Sequence, residues 1–409
     1  MNWFLYILFL IIFVFNLNGI FYVFADSSAF LSPLILIISF LVILRNSQSD
    51  SFSKASLILR GWFLFYLSYI VVGLISLAIF GFYRDINFTV IRTIFSTIIL
   101  LYALTMLILE LIKTKGLDKV ISITTVFLTI SAVSIIFIDY FDLIILFKKG
   151  MDEDNRNPGL FLNPNEAGYE AVTAYIFILF SFKNIKKFYQ KSAIIILLMF
   201  VAYAAFLTFS KAAILSVFIV TFVYLFLYAK KNFLLISSIS LVMITVFYQN
   251  AEKIKSNFEG VELRRIETIE SLLKRDIKGD VTTGRSEINE YSWQLISDNP
   301  LIGIGLGNFG SLPGLEMASH NTYFQIWGEA GILVLLIFLV TLLNITVKFI
   351  FGSFDISYRF LGISLLLLFL SNALVSNNLL ENRVFNISFV LLLCVIYKFT
   401  AHENPLRHR

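Results

Sequence analysis

His320 stands between Ser319 and Asn321, immediately before a continuously apolar run, in a chain of 409 residues with three histidines. The other two, His402 and His408, lie in a polar C-terminal stretch. An imidazole with an unperturbed pKa of about 6.5 is a competent base at neutral pH. A histidine in this position can also cap the helix that follows it. No Cys, Asp or second His stands near His320 at ligand spacing, so neither a metal nor any other cofactor is expected. Arg156, Lys211 and Arg285 carry the guanidinium and ammonium groups that usually bind phosphate. Gly305, Gly307 and Gly310 fit G-x-G-x-x-G, but a dinucleotide site needs a preceding strand and a βαβ unit, and neither is available. The glycines at 303, 305 and 307 instead predict a tight or re-entrant backbone in close approach to a neighbouring helix or a lipid headgroup.

The elements that position these groups are set by composition. Hydrophobic residues make up 58% and charged residues 14% of the chain, with 44 Phe and a mean hydropathy of +0.85. Such a chain is an integral membrane protein. A membrane helix takes roughly 20 apolar residues, and the short alternating strands of an outer-membrane barrel are not evident. The fold class is therefore all-α and polytopic, with about 12 transmembrane helices and a large extracytoplasmic loop containing amphipathic helices. The spans fall near 3–25, 29–44, 57–80, 88–112, 119–147, 166–182, 192–209, 212–229, 232–249, 327–347, 360–376 and 384–398. The first has no basic flank and exceeds a signal-peptide core, so it reads as a retained helix. Residues 1–249 then form a membrane domain with helices one to nine, 250–326 the large outer loop, and 327–409 the last three helices with a short tail.

Every second connection is basic: Arg45 and Lys54, then Lys113, Lys115 and Lys119, then Lys183 to Lys191, Lys230 and Lys231, Lys348 and Arg359, and Lys398 onward. These loops are expected in the cytoplasm with both termini. Lys211, Arg156, Arg285 and His320 then share the outer side. The net charge of +5 follows from this arrangement and gives no argument for nucleic-acid binding. Cys394 is the single cysteine, which excludes an intrachain disulfide. In the outer loop, Ile266, Ile269, Leu272 and Leu273 recur at helical spacing, as do Ile288, Tyr291 and Leu295, predicting two amphipathic helices.

The order Gly284-Arg285, Trp293, NPLIGIGLGNF and SHNTYFQIWGEAGI resembles the signature region of the O-antigen ligase and O-antigen polymerase superfamily of bacterial membrane glycosyltransferases. The segments RNPGLFLNPNEAG (156–168) and TFSKAA (208–213) agree with it, so the likeness spans roughly residues 150–340. One departure is Ser210-Lys211, where the family usually has Ser-Arg; lysine keeps the charge and loses the bidentate fork.

The resemblance implies a metal-independent enzyme in the bacterial inner membrane, with its site on the periplasmic side. It moves a glycan from undecaprenyl diphosphate to a sugar hydroxyl. The expected reading is a polysaccharide polymerase, with the O-antigen ligase acting on the lipid A core as the alternative and a lipid-linked sugar transporter as the weaker one. Implied partners are the carrier-linked oligosaccharide, a glycan acceptor, membrane lipids and a chain-length regulator protein. Under this reading His320 takes the acceptor proton, and Arg285 and Lys211 meet the charge of the departing diphosphate, with Arg156 a further basic candidate. Asn163 and Asn165 contact sugar or phosphate, or serve helix-start chemistry, with Asn165 as the N-cap. Asn321 orients the histidine. Glu329 is either an exposed charge at the membrane surface or a group facing the cavity. Gly328 and Gly331 are expected to allow close helix packing.

Overall fold

The computed structural model of the chain describes residues 2–25, 31–81, 88–141, 143, 157–161, 163–182, 185–228, 285–309, 319–376 and 379–403. The expected ninth span, the amphipathic helix near 262–276, and Arg156 lie outside them. Among the described residues there are thirteen α-helices: α1 (Asn2–Val14), α2 (Leu17–Ala25), α3 (Leu31–Asn46), α4 (Asp50–Phe80), α5 (Phe88–Lys115), α6 (Leu117–Tyr140), α7 (Pro164–Ser181), α8 (Phe188–Leu207), α9 (Lys211–Tyr228), α10 (Arg285–Asp298), α11 (Thr322–Phe351), α12 (Ile356–Ala373) and α13 (Arg383–Glu403). Eight of these are long and apolar enough to cross a membrane. The chain is an all-α polytopic membrane protein.

α7 is the axis of the bundle. Every residue from Ala167 to Phe180 is buried, because the helix packs among α6, α8, α9 and α12. Glu170 is buried with the rest of this helix. The segment before α7 is tucked against α6: Asn157 Nδ2 donates to the Ile135 carbonyl at 2.9 Å, and its Oδ1 accepts from Gly159 N at 2.9 Å.

The first expected span is two helices rather than one. The break falls at Asn16, which adopts φ 45°, a region Asn tolerates better than most residues. Its side chain donates to the Leu160 carbonyl at 3.1 Å, and the hydroxyl of Ser131 satisfies the Val14 carbonyl at 2.9 Å. Asn16 thus ends α1 and anchors the segment leading into α7.

The tenth expected span begins at Thr322 and is broken at Gly331 (φ 80°, ψ 173°). In an unbroken helix the Ile332 amide would donate to Gly328. Instead it donates to Pro300 at 3.0 Å, the Gly328 carbonyl accepts from Ile304 at 2.7 Å, and the Glu329 carbonyl accepts from Gly305 at 3.2 Å. On its other side the same segment reaches α4, where Leu306 donates to the Gly73 carbonyl at 3.0 Å. The predicted tight backbone is therefore wedged between two helices. A Cβ on Gly303 would lie 2.4 Å from the Gly328 oxygen, and one on Gly305 would lie 2.8 Å from Leu77 Cα.

The helix ends divide the charge. At one end the hydroxyl of Tyr358 (α12) donates to Asp118 (α6) at 2.8 Å, and its ring meets Phe180 (α7) and Phe399 (α13). That end gathers Lys113, Lys115, Lys119, Lys348, Arg359 and Lys398. At the other end the first turns of α7, α11 and α13 meet the last turn of α12.

Gly331→Ala should cost about 3 kcal/mol or more, since the new Cβ would meet the Leu301 carbonyl oxygen at 1.9 Å in a left-handed backbone. Gly81→Ala has the same sign of φ but open space around it and should cost only about 1 kcal/mol. Thermal denaturation of the two variants in detergent checks the difference.

Candidate functional site

At the end of the bundle away from the lysines, a cavity of about 70 Å³ is lined by Asn163, Asn165, Glu166 and Tyr169 of the α7 region, His320, Asn372 and Ser376 at the end of α12, and Asn382 before α13. The notch is small and open to the outside, with room for a polar group among these amides and hydroxyls.

The backbone around His320 is built to present it. Asn321 is the N-cap of α11, and its Oδ1 accepts from the amides of Tyr323 (3.0 Å) and Phe324 (3.1 Å). The cap is therefore Asn321 and not His320. The hydroxyl of Ser319 spans the histidine, accepting from Asn321 N at 3.4 Å and donating to its carbonyl at 3.2 Å. His320 is left in the left-handed region at φ 47°. That conformation is uncommon for a residue with a Cβ, persists only where its surroundings enforce it, and clusters at functional sites. Here the enforcement is the serine bridge on one side and the cap on the other.

α7 begins with Asn163 as N-cap, its Oδ1 accepting from Asn165 N at 2.8 Å, and with Pro164 in the first turn. The expected cap at Asn165 is thus displaced by two residues. Pro164 has no amide to satisfy, which suits it to the first helical position. Both asparagines remain at the notch.

Lys211 is the first residue of α9. The turn before it carries Phe209 at φ 48° and lies against Gly168, where an added Cβ would stand 2.9 Å from Thr208 Oγ1 and 3.1 Å from Ser210 Cβ. The Lys211 backbone is therefore held beside the early turns of α7, although Lys211 does not line the notch. Arg285 opens α10, and its side chain lies outside the described residues. α10 packs on the first half of α11, with Trp293 against Trp327 at 5.5 Å and Phe324 at 6.2 Å. Ile288 is buried and Tyr291 and Leu295 pack beside it, the face expected of an amphipathic helix.

Glu329 does not face the notch and is not an exposed charge. It is wholly buried and accepts from the Tyr69 hydroxyl, beside the break at Gly331.

Glu166, Tyr169, Asn372, Ser376 and Asn382 were not singled out in the sequence. Asn382 neighbours Arg383, whose guanidinium donates to the Asn18 amide oxygen, sits over the Phe13 ring at 5.5 Å and lies within electrostatic reach of Glu166. The signal available for Ser376 and Asn382 was the polar run Ser376 to Arg383 between two apolar spans, on the same predicted side as His320.

A family model described as O-antigen ligase matches residues 172–339. The match covers 168 of the 409 residues and is to the family that the signature region resembles. The matched segment contains Lys211, Arg285 and His320, whereas the asparagines lining the notch come from before and after it. The match supports a ligase- or polymerase-type function, and with the apolar helices it suggests a bacterial membrane protein. No curated protein is significantly similar to the chain in sequence.

Removing either cap should weaken the frame, and at Asn321 it should also loosen the turn that holds His320. Asn321→Ala and Asn163→Ala should each cost about 1 kcal/mol, read as a lowered melting temperature in detergent, whereas the corresponding Ser variants should stay close to wild type.

Proposed function

We propose that the protein is a surface-polysaccharide polymerase that transfers a glycan from undecaprenyl diphosphate to a sugar hydroxyl of another carrier-linked repeat unit, on the outer face of the inner membrane. The observation that carries this reading is His320, strained and bridged into a notch walled by amides and hydroxyls, at the end of the bundle opposite the lysines.

In the proposed step the acceptor hydroxyl gives its proton to the His320 imidazole as its oxygen bonds to the anomeric carbon. The bond from that carbon to the carrier diphosphate breaks, and its electron pair leaves with the diphosphate. Arg285 and Lys211 meet that charge, with Arg156 as a third cation, so the step draws on side chains and not on a metal. The notch is open to the outside, so the reacting hydroxyl can reach His320. Asn163 and Asn165, with Asn372 and Asn382, supply donors and acceptors around that hydroxyl. Asn321 acts on the histidine through the turn it caps, and Glu329 acts through the α11 break it occupies.

A second reading, transfer of the finished chain to the lipid A core, is favoured by the description of the matching family as O-antigen ligase. A glycan gel from a deletion strain separates the two. Loss of long chains with a single capped repeat persisting identifies a polymerase. Loss of all capping with accumulation of carrier-linked polymer identifies a ligase.

His320→Ala and His320→Asn should each lower transfer by about 10²- to 10⁴-fold, while asparagine, which tolerates a left-handed backbone, keeps the fold. Normal glycan synthesis by His320→Asn overturns the base assignment. Arg285→Ala should lose about a hundredfold in the same assay.

The orientation is tested separately. In a Cys394→Ser background, a cysteine introduced at residue 279 should react with an impermeant thiol reagent in intact spheroplasts, and one at Gly116, in the lysine-rich connection, should not. The reverse pattern overturns the periplasmic placement of the site.

A further inference from the structure

A second cavity, of about 490 Å³, lies between α4, α11 and α13 towards the lysine-rich end. Its lining changes character along its length. Lys348, in the last turn of α11, and Thr400, near the end of α13, are exposed, and Tyr397 is half-buried. Further in, Leu393, Phe389 and Trp62 are buried, and the rings of Trp62 and Phe389 meet at 4.4 Å to form its floor. From Phe389 to Thr400 the slot follows α13 for about 16 Å, at 1.5 Å per residue. That is about half the roughly 30 Å hydrocarbon core of a bilayer. The slot is therefore about one leaflet deep and cationic at its mouth, with a mainly apolar inner wall that also carries Thr341 and Asn344. A second ammonium stands near the rim: Lys54 lies within electrostatic reach of Tyr397 and is paired with Asp50.

Water does not stably fill an apolar space of this size, and close packing leaves few such voids empty. The lipid around a membrane helix bundle supplies both a chain for the inner half and a phosphate for the mouth. The His320 notch opens at the other end of the same helices, so this slot takes no part in the proposed transfer.

We propose that the slot between α4, α11 and α13 binds one anionic phospholipid, its acyl chain lying over Leu393 and Phe389 and its headgroup phosphate at Lys348. Lys54 and the Tyr397 and Thr400 hydroxyls complete the headgroup site. The second acyl chain remains in the bilayer.

The test uses the full-length protein, reconstituted in nanodiscs of phosphatidylcholine with graded phosphatidylglycerol, then transferred to mild detergent and weighed by native mass spectrometry. The expected result is one retained phosphatidylglycerol in preference to phosphatidylcholine. A lysine near a membrane surface contributes about 1 kcal/mol to anionic lipid binding, or about fivefold in affinity. Lys348→Gln should therefore weaken retention about fivefold, and Lys348→Arg should preserve it. Leu393→Trp, which fills the inner slot, should abolish retention with the lysine intact. Equal retention of the neutral lipid, unchanged retention in both Lys348→Gln and Leu393→Trp, or displacement of the lipid by 10 mM inorganic phosphate overturns the proposal. Glycan transfer is assayed in parallel: His320→Asn should lose transfer and keep the lipid, so the two readings fail separately.

Discussion

Inside a bilayer no water is available to satisfy a backbone amide or carbonyl, so every interruption of a helix must be repaired by the protein itself. The break in α11 at Gly331 is the point where this constraint governs the most structure. Three backbone groups lose their helical partners there, and residues 300–305 supply replacements for all three. The repair requires two chains to approach at backbone distance, which explains glycine at 303, 305, 328 and 331: side chains at these positions would collide with backbone or with the Phe309 ring. It also joins α4 to the repair through Gly73, Ser76 and Tyr69. The outer segment is in this way bonded to the bundle rather than resting on it, and the first half of α11, which begins just after His320, acquires a fixed direction.

The two ends of the bundle solve different problems. At the lysine-rich end the polar links are single, peripheral pairs such as Tyr358 with Asp118, and the charges are free to meet an anionic leaflet. At the other end neutral amides and hydroxyls predominate, contributed by four separate segments of the chain. Glu166 is the carboxylate among them. Positive charge is held in an adjoining layer, with Lys211 at the foot of α9 and Arg383 stacked on Phe13.

Much of this was legible in the sequence, and for identifiable reasons. Long apolar runs give spans because their period and length are set by the bilayer, and most of those runs are helices here. His320 stood out because it was alone and flanked by residues that make turns. The glycines near 305 announced a tight backbone, and the spacing of Ile288, Tyr291 and Leu295 announced a helix with one covered face. What was not legible depended on long-range partners. Asn16 breaks a run that is apolar on both sides, and its reason for doing so, the Leu160 carbonyl, lies 144 residues away. The shift of the cap from Asn165 to Asn163 is a local matter of which asparagine has an extended backbone, and Pro164 between them disguises it. Asn372 lay inside an expected span and Asn382 in the connection after it, and neither pointed to His320 until α12 and α13 brought them to it. Glu329 carries a charge in the sequence, but only the Tyr69 hydroxyl beside the break reveals why it is buried.

The wedge of residues 300–306 between α4 and α11 also has a temporal meaning. α4 enters the membrane when more than half of the chain has yet to be made, and its Tyr69 hydroxyl finds its acceptor 260 residues later. Until then α4 must reside in lipid with polar groups that only the last third of the protein can satisfy. The contact between α4 and α11 cannot close as α4 emerges; it waits for the segment that carries the histidine.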